Sequence, residues 1–447
     1  MYDTEGNVIQ AHGGQIQQIT YDYDYNGNGT IDDDEHTFWY WVGEDKTNDY
    51  RPCPGIRGYI SKDLYNWKDM GNILKTATDW EEFTTDSYFT ELYGSAGVSK
   101  EEAKESGLWD IYADIWKGEY SDEGCVIERP KMLYNDKTKK YVIWFHADGQ
   151  TPESTGGNYA KAKAGVAVSD SPFGPFKLQG SYLLNSNEDA DHGFDSEGGH
   201  VRDMNLFKDE DGTAYVLYSS DGNQTMHIAK LNDEYTNVAK KQGEAVEGVD
   251  FSRNFVDESR EAPAMFKYNG KYYLMTSGCT GWYPNQASYA VADSPLGPFT
   301  TVGDPCTDNG SSTTYDTQST CIFPVDAAKG KFIYMGDRWS NPDTGNALRD
   351  SRYVWLPIEF LPDHQMAIRR YTDWTLDDLK NKEAFSVETE LPTVVTSAKE
   401  VEEKMPQKLD ITLASGTKET VDVTWDGIPT GDRTLGMVTL TGTMSNG

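Results

Sequence analysis

The sequence holds no run of about 18 apolar residues, so none of its segments reads as a transmembrane helix. Positive charge is scarce: 40 Lys and Arg stand against 73 Asp and Glu, a net charge of −33. Such a chain repels phosphate backbones and anionic lipid surfaces, which argues against nucleic acid or membrane partners. Cysteine is sparse. Cys53, Cys125, Cys279, Cys306 and Cys321 are odd in number and show no C-x-x-C spacing, so neither a disulfide framework nor a zinc ribbon is indicated, although one or two bridges stay open. Helical periodicity is nearly missing, and only Lys100–Ala113 and Asp373–Asn381 carry it. The opening Met1-Tyr2-Asp3-Thr4-Glu5 lacks the basic and apolar stretches of a secretion signal.

Aromatic residues, in contrast, are plentiful: 13% of the chain, with 28 Tyr and 12 Trp. Disordered chains are poor in aromatics, so this one is expected to fold, as a large domain with a smaller one or as two to three ordinary domains. A neutral partner that stacks on rings suits an acidic, aromatic protein, and carbohydrate is the obvious candidate.

Short phrases recur along the chain. VAVSDSPFGPF (Val166–Phe176) returns as AVADSPLGPF (Ala290–Phe299) and, more loosely, as GYISKDLYNW (Gly58–Trp67). Each is an apolar strand, a turn and an aromatic. Upstream lie strands rich in Tyr and Trp at Phe38–Val42, Tyr141–Phe145 and Tyr272–Thr276, closed by hairpin turns such as Tyr268-Asn269-Gly270. A third phrase starts each unit: AHGG at Ala11–Gly14, ERPKMLY at Glu128–Tyr134, RDMNLF at Arg202–Phe207, EAPAMFK at Glu261–Lys267 and QSTCIFP at Gln318–Pro324. The heads Glu128, Asp203, Glu261 and Gln318 follow at spacings of 75, 58 and 57 residues.

Five such units of short antiparallel strands predict an all-β, five-bladed propeller over residues 1–371. The first strand of each blade lines the axis, so the polar heads converge. Met70–Val126 reads as an insertion packing over one face. Residues 372–394 read as a linker. From 395 to 447, and clearly over Lys408–Met444, the chain alternates apolar and polar residues and resembles a bacterial immunoglobulin-like module, a small β-sandwich. Such modules are mostly extracellular, which implies a secreted or cell-surface protein with its signal peptide removed.

Asp24–Glu35 reads DYNGNGTIDDDE and fits the calcium-loop pattern D-x-[DN]-x-[DN]-G-x5-E at every specified position. Calcium takes six to eight hard oxygens. Asp24, Asn26 and Asn28 offer side-chain oxygens, Thr30 a backbone carbonyl, Asp32 a direct or water-mediated contact and Glu35 a bidentate carboxylate, while Gly29 permits the sharp turn. Strands rather than helices flank it, so a structural calcium ion grafted onto a blade-one hairpin is expected.

At the axis, Glu261 and Glu128 occupy equivalent positions in their units. Glycoside hydrolysis ordinarily needs two carboxyl groups, one protonated for the leaving oxygen and one acting as base or nucleophile. Each Glu taken singly reads as an ion-pair partner of the Arg beside it; the joint placement favours catalysis.

Together QAHGG, ERPKMLYN, RDMNLFKDEDG, REAPAMFKYNGKYYLMTSGCTGW, YDTQST and MGDRW resemble glycoside hydrolase family 43, and most closely its exo-β-1,3-galactanase branch, over about residues 8 to 360. The resemblance implies an inverting exo-enzyme releasing galactose from the β-1,3-galactan of arabinogalactans. Most of that family carries an Asp base in blade one, where this chain has Ala11-His12-Gly13-Gly14. In the galactanase branch a Gln holds the water instead, and Gln318 matches it. By the same resemblance Glu261 is the general acid, Glu128 tunes the acid or binds sugar, and Tyr159, Asp203, Asn223 and Thr280 bind sugar.

Trp282, Trp339 and Trp355 are candidates for stacking on galactose, with blade core as the alternative for all three and the favoured one for Trp355. An arabinofuranosidase, a β-galactosidase of other linkage preference and a glycan-binding propeller without activity stay open, as does a metal site where His192 and His200 flank Glu197. A polysaccharide or oligosaccharide is the expected partner, and a monomer the expected state.

Overall fold

The computed structural model describes residues 1–153, 159–186, 194–195, 198–381, 385–389, 399, 403–413, 416–425 and 442–445. His192 and Glu197 lie outside the described residues.

Five four-stranded antiparallel sheets follow one another along the chain, each built from consecutive strands. Their inner strands are His12–Thr20, Cys125–Asn135, Met204–Lys208, Arg260–Tyr268 and Gln318–Asp326. Each inner strand touches the next, and the fifth touches the first, which closes a five-bladed propeller. The second strands are almost wholly buried, as in Lys140–Gly149 (KYVIWFHADG), because blades stack face to face and both faces of a strand need apolar cover. Turns follow their residues: Tyr268 pairs with Lys271 across Asn269-Gly270, both at positive φ (49° and 75°), a tight hairpin only such residues favour.

Among the described residues no strand is exchanged between blades one and five, and side chains tie the two together. Tyr353 of blade five donates to Ile9 O (3.0 Å) and accepts from Ala11 N (2.9 Å). Asp337 accepts from Gly13 N (2.8 Å) and holds His12 Nδ1 at 3.2 Å.

The inserted segment begins later than Met70, which belongs to blade one's fourth strand, Lys68–Lys75. Four short helices follow, Trp80–Thr85, Ser87–Tyr93, Lys100–Ser106 and Leu108–Asp114. Gly107, at φ 78°, splits the single helix expected over Lys100–Ala113. Phe83, Phe89 and Tyr112 pack into one core with Phe176 and Leu178 of blade two, so the insertion braces the blade-one/blade-two edge.

The segment read as a linker is partly ordered. Trp374 Nε1 donates to Trp355 O (2.8 Å), and Leu379 of helix Leu376–Asn381 joins the buried cluster of blades one and five. Beyond it, Phe385–Val387, Lys408–Leu413, Lys418–Trp425 and Gly442–Met444 form one four-stranded antiparallel sheet, compatible with an added module. Its first strand lies before residue 395. Among the described residues no helix is long and apolar enough to cross a membrane.

Candidate active site

Four inner strands carry a bulge just past their heads, between His12 and Gln15, Glu128 and Lys131, Glu261 and Ala264, and Ser319 and Cys321. In three of them the next residue has positive φ: Gly13 (55°), Arg129 (53°) and Ala262 (51°). A bulge bends its strand and re-aims side chains, and non-glycine residues held at positive φ store of order 1–3 kcal/mol of strain. At Gly13 a Cβ would lie 2.1 Å from Glu44 Oε1, so any side chain there would displace that buried carboxylate, on a backbone already at positive φ. Blade one therefore contributes backbone and His12 to the axis, and its inner-strand head brings no carboxylate.

The other heads meet. Gln318 Nε2 donates to Glu261 Oε1 (2.9 Å) and Ser277 Oγ (3.1 Å), while Gln318 Oε1 accepts from Trp339 Nε1 (2.9 Å) and from Arg129. All four hydrogen-bonding positions of the amide are filled. Arg129 also holds Asp203 (3.1 Å) and donates to Ser319 O (2.8 Å), and Asp203 accepts from Ala262 N (3.1 Å). Glu128 accepts from Tyr159 OH (2.8 Å) and pairs with His146 (3.2 Å), whose other nitrogen meets Asp148 (2.8 Å).

Burial pushes the Glu261 carboxyl up to about 8, and the Asp203 charge adds to the rise while Arg129 opposes it. Glu261 is thus a neutral acid at pH 7. Burial also works against the charge on Glu128, but the bond to His146 and the charges of His146 and Lys46 outweigh it and hold Glu128 at about 2. Burial likewise opposes charge on His146, yet its bonds to Asp148 and Glu128 raise it to about 9, so it is an imidazolium. Two carboxyl groups with pKa values driven apart by their surroundings are the arrangement that separates acid from ionised partner.

Several expectations change here. An apolar wall or a nearby carboxylate such as Glu128 is what would be expected to raise a catalytic acid here; burial is the leading cause, and the like charge that adds to it is Asp203 rather than Glu128. Gln318 touches Glu261, whereas an opposed pair would stand roughly 6.5–9.5 Å apart. The reason is topological: blades four and five are neighbours, so their heads adjoin, and the Glu128 head comes from a non-adjacent blade. Nor do the glutamates pair with their sequence neighbours. Arg129 turns to Asp203 and Gln318, and Arg260 donates to Thr276 Oγ1 (3.0 Å) and O (2.8 Å).

The other candidates divide. Trp282 meets Trp339 edge-on at 5.2 Å, beside the Gln318 amide. Asn223 lies at φ 69° next to Cys279, and its Oδ1 is buried without a partner, an acceptor suited to a sugar hydroxyl. Thr280 is engaged within its own loop, donating to Tyr283 O and accepting from Asn285 (2.7 Å). Trp355 packs with Trp41, Trp67 and Phe323, as core. Sequence reasoning missed Arg129, His146, Asp148 and Tyr50. Only the ER phrase of Ile127-Glu128-Arg129 offered a signal, and it pointed to the wrong ion pair.

The acidic loop lies at the far end of blade one's inner strand, before Thr37–Glu44. Asp24 accepts from the backbone of Gly27 (2.7 Å), Asn28 (3.0 Å) and Gly29 (2.7 Å). Glu35, fully buried, accepts from Tyr25 N (3.1 Å), Asn26 N (3.1 Å) and Asp32 N (3.2 Å). Both Asn26 and Asn28 donate to Asp32 (2.8 and 3.0 Å), so these side chains crowd one point, and the donor set is all oxygen apart from their amides.

Comparison with known proteins decides the family. The profile of glycosyl hydrolases family 43 matches residues 130–321. A family 43 β-1,3-galactosidase solved with galactodeoxynojirimycin is 32% identical, with a TM-score of 0.62, over 84% of this chain and 98% of that one. The chain belongs to glycoside hydrolase family 43. An exo-β-1,3-galactanase from Clostridium thermocellum shares 27% identity and a TM-score of 0.60 over 96% of this chain and 78% of that one. A β-xylosidase from Xylanibacter ruminicola is 28% identical over 241 residues, 46% of this chain and 62% of that protein, so the match spans less than two thirds of that relative. Within this family 43 propeller, the axial heads and the neighbouring rings form the candidate active site.

Proposed function

We propose that the protein is an exo-acting, inverting glycoside hydrolase that releases galactose from β-1,3-galactan, with Glu261 as general acid. The observation that carries the reading is the neutral Glu261 carboxyl, raised to about 8 at the point where the blade heads converge. Its proton goes to the leaving glycosyl oxygen. The galactan preference rests on the likeness to the β-1,3-galactosidase and exo-galactanase structures, against the xylosidase relative. A polymeric glycan substrate supports a secreted or cell-surface location.

Gln318 is the proposed partner of the attacking water. An amide is too weak a base to take a full proton, but an oxocarbenium-like centre needs little activation of its nucleophile. With its amide saturated, Gln318 must exchange a bond for the water, and since the amide oxygen is the atom that can accept the water's proton, the bond given up is one that Oε1 accepts, from Trp339 or Arg129. A second reading gives the water to Glu128, because that carboxylate is held ionised on a non-adjacent blade.

Free galactose from β-1,3-galactan, produced with inverted anomeric configuration, is the outcome expected. Release of xylose or arabinose from their aryl glycosides, with no galactose, would overturn the galactan assignment. Asp24, Asn26, Asn28, Thr30, Asp32 and Glu35 are proposed to hold one structural calcium, whose charge would offset the carboxylates and fasten the blade-one hairpin.

A further inference from the structure

The loop after blade one's second strand reaches into the site. Tyr50, at its tip, is half-buried. Its hydroxyl bonds to the Tyr159 hydroxyl, which donates to Glu128. Its ring meets Trp282 edge-on at 5.8 Å. Trp282 meets Trp339 at 5.2 Å, and Trp339 donates to Gln318. Side chains from blades two, one, four and five thus form one unbroken arc from Glu128 to Gln318.

The loop is fastened on both sides of Tyr50. Asp49 accepts from Leu348 N of blade five, and Arg51 donates to Asp122 O (3.1 Å) beyond the helical insertion. The Arg51 guanidinium and the Lys46 ammonium lie against the Tyr50 ring, at 5.4 and 5.1 Å from its centroid. A ring so held is a fixed wall.

Its side of the pocket can be assigned. Glu261 marks the scissile bond, because the acid must reach the leaving oxygen. Tyr50 is tied through Tyr159 to Glu128, whose blade is not adjacent to that of Glu261. A sugar with its anomeric carbon at Glu261 therefore turns its non-reducing end towards Tyr50. Resting on the galactanase reading, we infer that Tyr50 is the specificity-determining wall that stops the pocket after one sugar and admits only a free chain terminus. The class it rejects is a β-1,3-linked chain continuing from O3 of the bound galactose.

The test uses two probes, β-1,3-galactotriose labelled at its reducing end, and the same trisaccharide capped by a methyl ether at O3 of its non-reducing galactose. Wild type is expected to cleave the uncapped probe and refuse the capped one. Tyr50→Ala is expected to raise the capped-to-uncapped ratio of kcat/KM by roughly tenfold or more, the scale of one pocket contact. Tyr50→Phe keeps the ring and loses the hydroxyl bond, and is expected to preserve the refusal, which a merely structural role for the Tyr159 bond would not. If Tyr50→Ala fails to fold, Trp282→Ala removes the other side of the same contact and is expected to shift the ratio in the same direction. An active wild type whose ratio is unchanged in the folded alanine variant, or a wild type that accepts the cap, overturns the wall alone. A wild type that cleaves neither probe overturns the galactanase reading, and the wall falls with it.

Discussion

In the Asp24–Glu35 loop, the backbone amides that bind Asp24 and Glu35 lie between 3 and 10 residues away. At the propeller axis, Glu128 finds His146 across 18 residues, Asp203 finds Ala262 across 59, and Asp337 finds His12 across 325. Most of the loop's side chains are exposed while the axial ones are largely buried, and the same side-chain chemistry gives opposite results. Bonds from Gly29 and its neighbours lower the Asp24 carboxyl. Burial, joined by the Asp203 charge, lifts Glu261 to about 8. Carboxylates stabilised by their own backbone stay ionised and suit a cation; those brought together by distant strands can be driven to hold a proton.

The comparison breaks most sharply if Glu261 proves dispensable. Glu261→Gln is expected to cost about 10²–10⁴ in turnover of unactivated galactan, the range of lost general acid catalysis. A substrate whose leaving group needs no protonation should lose far less. Equal losses on the two substrates would show that Glu261 is not the acid.

Gln318 comes next. Gln318→Ala should lower kcat by about 10²-fold or more, the scale of lost positioning, and leave oligosaccharide binding largely intact. Gln318→Glu is expected to keep part of the activity and to add an acidic limb to the pH profile, since a second carboxyl group beside Glu261 must share a proton with it. Full activity in the alanine variant, with collapse in Glu128→Gln, would assign the water to Glu128.

How much of this was legible depends on distance along the chain. The propeller showed through because each unit restarts with the same phrase, and Glu128, Asp203, Glu261 and Gln318 were visible as heads of those phrases. The calcium-type loop was visible because its oxygens are contiguous. Arg129 was misread because its partner depends on a bulge: at φ 53° its side chain leaves Glu128 for Asp203 and Gln318. His146, Asp148 and Tyr50 were silent because their roles arise only where blades meet. The helices at Trp80–Thr85 and Ser87–Tyr93 escaped because six or seven residues are too few to show a period; Asp79 and Asp86 start them by capping.

A smaller effect sharpens the contrast through pH. The acid must be protonated, so kcat/KM should fall as pH rises through about 8, the Glu261 value. Asp203→Asn removes the like charge and should move that alkaline limb to lower pH; a limb that stays put would leave burial as the whole cause. Stability carries the same sign. Because the folded value exceeds the ordinary 4.5, the contribution of protonated Glu261 is complete below 4.5 and is lost as pH rises through about 8. Glu128 runs the other way: its contribution is present above 4.5 and is lost as pH falls through about 2.

The gentlest test falls on the loop itself. Five of its side-chain donors come from twelve consecutive residues, and its amide bonds already shape the turn, so an ion would add to a loop that is largely formed. Glu35 is the exception: it is buried, and Lys62 stands 3.4 Å away as its nearest cation. Calcium at about 100 times its dissociation constant would stabilise the folded state by about 2.7 kcal/mol, which in a chain of this size is a rise in Tm of only a few degrees. Chelation should reverse it, and Glu35→Gln should abolish the calcium response while leaving galactose release near wild type, because the loop lies at the opposite end of the strand from His12. A melting curve indifferent to calcium and chelator would mean that Lys62 and the backbone amides alone balance these carboxylates.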